Sequence, residues 1–299
     1  MLPFWISIGA LSFVQGAIVA LPHARWLDDL SRLRDRRWAL IPPLSVIGFV
    51  FVAGAAERAS AKGLTYLALV AVPILAAVAL GWLTPGARRA RIVLVPALFA
   101  IAWALPGDLL GQAAALALSA LSCVTLGVLI AAVTPPRWLG AGVIAMAIAD
   151  TALVVSDLLQ RPNNALNAAH PAAGLPRLQS ATFGSAVIGY GDLFVVAVLG
   201  ALLVVSLGRS EQLRGAALTT VIAIAMDFLF FFVDELPATV PAALTLIAVL
   251  VLRRRRSAPT APTRAPATHL GLPGLLPDPS AATPTAGPEP PAPPRAVAR

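Results

Sequence analysis

The chain has 299 residues, 58% of them hydrophobic and only 12% charged, with a net charge of +8 and a single cysteine, Cys123. A soluble domain carries about twice that charge fraction, and the apolar residues come in long blocks, so one large water-facing fold is excluded in favour of membrane spans. An intrachain disulfide is excluded as well, and a thiolate metal site is not expected.

Nine apolar blocks follow one another: Leu2–Leu21, Ala39–Ala56, Gly63–Leu83, Ile92–Leu105, Leu109–Val133, Leu139–Leu159, Gly184–Leu207, Gly215–Val233 and Pro237–Leu252. The fourth is short for a hydrocarbon layer of about 30 Å. No basic residue precedes the first block and arginines follow it, the pattern of an anchored first span rather than a cleaved signal peptide. With nine spans, alternate loops fall on opposite sides. Fifteen basic residues, among them Arg34, Arg88, Arg137, Arg209 and Arg253, collect on one side and four, Arg58, Lys62, Arg161 and Arg177, on the other. The positive-inside rule then predicts an all-α polytopic protein with its N-terminus outside and its C-terminus inside. Basic charge can mark a nucleic-acid partner. Here the arginines lie between apolar blocks, so the partner they predict is the lipid bilayer and no nucleic acid. The Arg- and Ala-rich usage points to a bacterial source, hence to the plasma membrane. Residues 1–252 read as the nine-helix transmembrane domain. Residues 253–299 open on an arginine run, and twelve of the last 43 residues are Pro, which predicts a disordered cytoplasmic tail.

Charge inside the hydrocarbon layer is costly and marks function by default. Asp150 lies about eleven residues into the sixth block, Asp192 about eight into the seventh, Asp227 in the eighth, and Asp157 nearer the end of the sixth. At 1.5 Å per residue, Asp150 falls roughly 14 Å and Asp192 roughly 12 Å below the outer boundary. Two antiparallel helices thus bring them to similar depth. Ala141, Ala145 and Ala149 offer a small-residue stripe for close approach beside Asp150. Two close carboxyls do not both ionise readily and share a proton. The ionised one can take a proton from water while the protonated one polarises a carbonyl, which is acid–base peptide hydrolysis without cofactor or metal. Buried neutral acids that only pack helices, and proton-coupled transport, are the other readings of the same acids.

Gly189 and Gly191 flank Tyr190 just before Asp192, where they weaken the helix and allow close backbone approach. A helical substrate hides its peptide bonds and must be held extended, for example by pairing to exposed backbone. Pro241 disrupts the start of the last block, and unpaired backbone at membrane depth is tolerated only where it lines a cavity.

Asp150, Gly189-Tyr190-Gly191-Asp192 and Pro241-Ala242-Ala243-Leu244, set in nine spans, together resemble the presenilin and signal peptide peptidase family of intramembrane aspartyl proteases over residues 1–252. The acids are 42 positions apart, and 49 more lead to the proline. The chain departs from the family pattern at Ala149, where the family has Tyr, and at Ala243, where it has Leu. Pro237-Ala238-Thr239 is a competing alignment for the last element, and a literal Pro96-Ala97-Leu98 precedes both acids. The resemblance implies Asp150 and Asp192 as the catalytic pair and Gly189, Tyr190, Gly191, Pro241, Ala242, Ala243 and Leu244 as substrate-binding. The orientation resembles that of signal peptide peptidases. It implies substrates such as remnant signal peptides or type II transmembrane segments, and no obligate partner subunit.

Prepilin peptidases share Gly-x-Gly-Asp but carry a Lys two residues later, where this chain has Phe194. His23, His170 and His269 lie outside the blocks, against rhomboid-type chemistry, and no His-Glu-x-x-His occurs. A proton-coupled transporter using Asp150, Asp192 and Asp227, and an inactive family member serving as a membrane scaffold, stay open; no internal repeat supports the transporter.

Overall fold

The computed structural model describes residues 2–23, 34–45, 47–48, 57–158, 160–169, 171–233 and 236–257. Of the predicted disordered tail, 253–299, residues 258–299 lie outside them, as does half of the second expected span, Ala39–Ala56; residues 253–257 are a correction, since they continue the last helix. The chain is mostly helical. Its main helices are α1 (Phe4–Ala20), α2 (Glu57–Val78, continued by a π-helical turn to Leu83), α3 (Leu94–Ala104), α4 (Leu109–Val133), α5 (Pro136–Val155), α6 (Gln160–Ala168), α7 (Tyr190–Leu207), α8 (Arg209–Asp227) and α9 (Val240–Ser257). Five helical stretches, Ala61–Leu83, Leu109–Val133, Pro136–Val155, Tyr190–Leu207 and Arg209–Phe231, are long and apolar enough to cross a membrane, and α1 is a shorter apolar helix. That is the make-up of an integral membrane protein.

α7 runs through the centre. Its residues Leu193 to Leu203 are all buried, against α4, α1, α5 and α8. A helix apolar all round belongs in such a position. Close approach is set by glycine: a Cβ on Gly200 would stand 2.3 Å from the Val19 carbonyl oxygen, and one on Gly127 2.7 Å from the Ala197 backbone. The buried face of α5 is Leu139, Gly142, Val143, Met146, Ala147 and Asp150. The predicted small-residue stripe is corrected by this: Ala141 and Ala145 point outward.

The expected seventh span is corrected too. Its first residues, 184–189, belong to a β-hairpin and not to a helix. Strand β1 (Ser180–Phe183) pairs antiparallel with β2 (Ala186–Gly189), with Ser180 opposite Gly189 and Phe183 opposite Ala186. The two-residue turn puts Gly184 first with φ 63°, as a II′-type hairpin turn requires. The tip is tied down. Gly184 N–H donates to Gln112 Oε1 at 2.7 Å, Ser185 N–H to Ser7 Oγ at 3.1 Å, and Ser185 Oγ to the Leu2 carbonyl at 3.2 Å. Helix α7 therefore starts only at Tyr190.

The bundle has two chemically distinct ends. At one, Arg34 Nε donates to the Ala132 carbonyl at 3.0 Å, Arg209 to the Ala20 carbonyl, and Gln212 Nε2 to the Val19 and Pro22 carbonyls at 2.9 Å each. These donors satisfy carbonyls that the C-termini of α1 and α4 leave open. At the other end an aromatic cluster joins the start of α1 to the end of α8, with Trp5 stacked on Phe231 at 4.5 Å and Phe4 edge-on to Phe230 at 5.5 Å. Trp and other aromatic rings collect at membrane–water interfaces.

Candidate active site

The three acids gather at the aromatic end. Asp150 lies five residues before the end of α5, Asp192 is the third residue of α7, and Asp227 is the last of α8. Asp192 is thus not eight residues deep in a helix, as expected from hydropathy, but in a first turn beside the hairpin. All three line one cavity of about 710 Å³. The Asp150 and Asp192 carboxyls are near enough to interact electrostatically.

Each carboxyl is fixed by a local partner. Asp192 Oδ2 accepts the Gly189 backbone N–H at 3.1 Å, a bond that caps the first turn of α7. Asp150 is 8% exposed, and its Oδ2 accepts from Thr239 Oγ1 at 2.7 Å. Asp227 Oδ2 accepts from Ser12 Oγ at 2.8 Å.

The two glycines have different jobs. Gly189 has φ −69° and ψ 150°, open to any residue, so it is not needed for backbone freedom. It is needed for room: a Cβ there would stand 2.9 Å from Asp192 Oδ2. A Cβ on Gly191 would meet nothing within 4 Å, and Gly191 lines the cavity. Tyr190 lines it too. Its hydroxyl shares a 2.8 Å hydrogen bond with Ser122 Oγ, and its carbonyl accepts from Cys123 Sγ at 3.7 Å, which pins the start of α7 to α4.

The segment leading into α9, together with the first turn of that helix, closes the site. Leu236, Pro237, Ala238 and Pro241 line the cavity, and Thr239 between them holds Asp150. Ala242 and Ala243 are buried against neighbouring helices and Leu244 is 44% exposed; these three do not line the cavity. Of the two alignments read from sequence, Pro237-Ala238-Thr239 is the one in contact with an acid.

Sequence reasoning named Thr239 only within the competing Pro237-Ala238-Thr239 alignment, and did not single out Ser12, Gln15 or Gln179. Gln179 borders β1 and the cavity. Its Nε2 donates to the Leu166 and Ala169 carbonyls at 3.4 and 3.1 Å, while its Oε1 has no partner among the described residues. A buried polar residue in an apolar run was the available signal. Asp157 has a structural place: with φ 61° it ends α5 in the left-handed region, which Asp tolerates. No family model, curated protein or solved structure matches this chain.

Proposed function

We propose that this chain is an intramembrane aspartic endopeptidase of the presenilin and signal peptide peptidase kind. It crosses the membrane nine times, N-terminus outside and C-terminus inside, in a bacterial plasma membrane. The observation that carries the reading is the placement of Asp150 and Asp192, from two different helices, on one cavity beside a short β-hairpin.

The chemistry follows from two carboxyls that share one proton. The ionised carboxylate accepts a proton from water as its oxygen attacks the scissile carbonyl carbon. The protonated partner donates to the carbonyl oxygen. Collapse of the tetrahedral intermediate breaks the C–N bond: the nitrogen takes the proton held by the first acid, a hydroxyl of the intermediate returns its proton to the partner carboxylate, and the amine leaves. Thr239 and the Gly189 N–H orient the two carboxyls. The cavity borders Ser180, Val187, Ile188 and Gly189 of the hairpin. A two-stranded sheet has free edges, so an unwound substrate segment can add as a further strand and expose its peptide bond to the acids. Gly191 leaves clearance for that segment. Remnant signal peptides and type II transmembrane segments are the substrates, and no partner subunit is required.

Asp227 on the same cavity favours one second reading, a proton-coupled transporter with three carriers. Purified protein in lipid nanodiscs, given a labelled signal peptide, should yield two fragments by mass spectrometry. Intact peptide, together with proton flux in proteoliposomes that Asp227→Asn abolishes, would move the assignment to transport.

A further inference from the structure

The wall of the cavity built by α1 and α8 has no task in peptide hydrolysis, yet two polar residues, Gln15 and Asp227, stand in an otherwise apolar lining, with Ser12 behind them. Ser12 and Gln15 lie three residues apart and so share one face of α1. Both are buried, at 2% and 6% exposure. Ser12 spends its proton on Asp227 Oδ2. No basic side chain among the described residues pairs with Asp227. Gln15 lines the same cavity, and its Oε1 has no hydrogen-bond partner among the described residues. A buried acceptor without a donor is destabilising, and a carboxyl at membrane depth more so. Both open groups are acceptors. A Lys or Arg side chain is donor-only and cationic and satisfies both.

We infer that Asp227, Ser12 and Gln15 form a second subsite of this cavity, which receives a Lys or Arg side chain of the bound transmembrane segment. The inference rests on the cavity being a peptide site and adds a preference to it. A basic residue is costly in lipid and finds a counter-charge here. The subsite would thus select segments that carry a positive charge within or at the end of their apolar run. Leu11, Met226 and Phe230, which line the same wall, would cover the aliphatic stem.

The test is a binding measurement, separate from turnover. Polyleucine peptides of about twenty residues, each with one Lys at a scanned position, are compared with norleucine counterparts. The protein is the full chain in nanodiscs, in an Asp192→Asn background. At the best position the Lys peptide should bind about tenfold tighter than its norleucine counterpart. Asp227→Asn, which keeps an acceptor for Ser12, should bring that ratio to near one, and Gln15→Leu should lower it. A ratio near one in the parent at every position, a ratio untouched by Asp227→Asn, or no binding of either peptide overturns the subsite. Cleavage of the norleucine peptide by the unsubstituted chain is the separate arm. Its absence beside an intact Lys preference would sink the protease reading and leave the subsite standing.

Discussion

The two ends of the helix bundle use polar residues in opposite ways. At the arginine end, Arg34, Arg209 and Gln212 donate to carbonyls that helix termini leave open, and Gln212 is fully buried with its partners in place. At the aromatic end, Asp150, Asp192 and Asp227 each accept from a local donor and face a shared cavity, whose wall also holds Gln15 and Gln179, each with an Oε1 that has no partner among the described residues. Polar groups that satisfy one another stabilise a fold. Polar groups left open at a cavity are available to a ligand. The contrast separates the residues whose loss should cost stability from those whose loss should cost activity.

The largest expected effect is at the acids. Asp150→Asn or Asp192→Asn should each lower peptide cleavage by about 10²–10⁴-fold, the range of a lost acid or base, with thermal stability in detergent close to that of the parent. Next is Gly189→Ala. Its methyl group pushes on Asp192 Oδ2, and a shift of about 1 Å in a reacting group can cost about 10²-fold; kcat should fall while KM holds. At the other end, Gln212→Leu should leave kcat unchanged and destabilise by about 1–3 kcal/mol, because the Val19 and Pro22 carbonyls lose a buried donor. A thermal melt beside an activity assay would separate the two classes. A smaller effect is expected for Thr239→Val, which removes the donor to Asp150 at a cost of about 1 kcal/mol; Thr239→Ser should restore the rate. Gly191→Ala should be nearly silent, since nothing stands within 4 Å of the new methyl group. Gly191→Leu should raise KM by filling the cavity.

How far the sequence carried depends on what a membrane does to its signals. The bounds of α4, Leu109–Val133, are those of the expected span, because the apolar run is long and flanked by Gly107-Asp108 and Pro135-Pro136. The hairpin was not expected. Residues 180–189 are short and apolar, and periodicity alone does not separate such a run from the helix that follows. Gly184-Ser185 between two short apolar runs was a legible turn signal. Missing it placed Asp192 too deep. The buried face of α5 was illegible for a different reason. Lipid is as apolar as a helix neighbour, so hydropathy does not say which side turns inward, and the Ala141–Ala145 stripe proved to face out. That Asp150 and Asp192 would face one cavity was legible from their order and the antiparallel run of two helices. That Asp227 would join them was not, because it required the packing of α8 on α1.

The central claim is that Asp150 and Asp192 act together on a peptide bond. The most direct test is quantitative cleavage of one labelled signal peptide by the wild-type chain, Asp150→Asn, Asp192→Asn and the double variant, each in nanodiscs with binding of the same peptide measured in parallel. The account predicts that all three variants bind the peptide, that each single variant is inactive, and that the double variant is no worse than either. Cleavage that survives either single substitution, in protein that still binds, would contradict it.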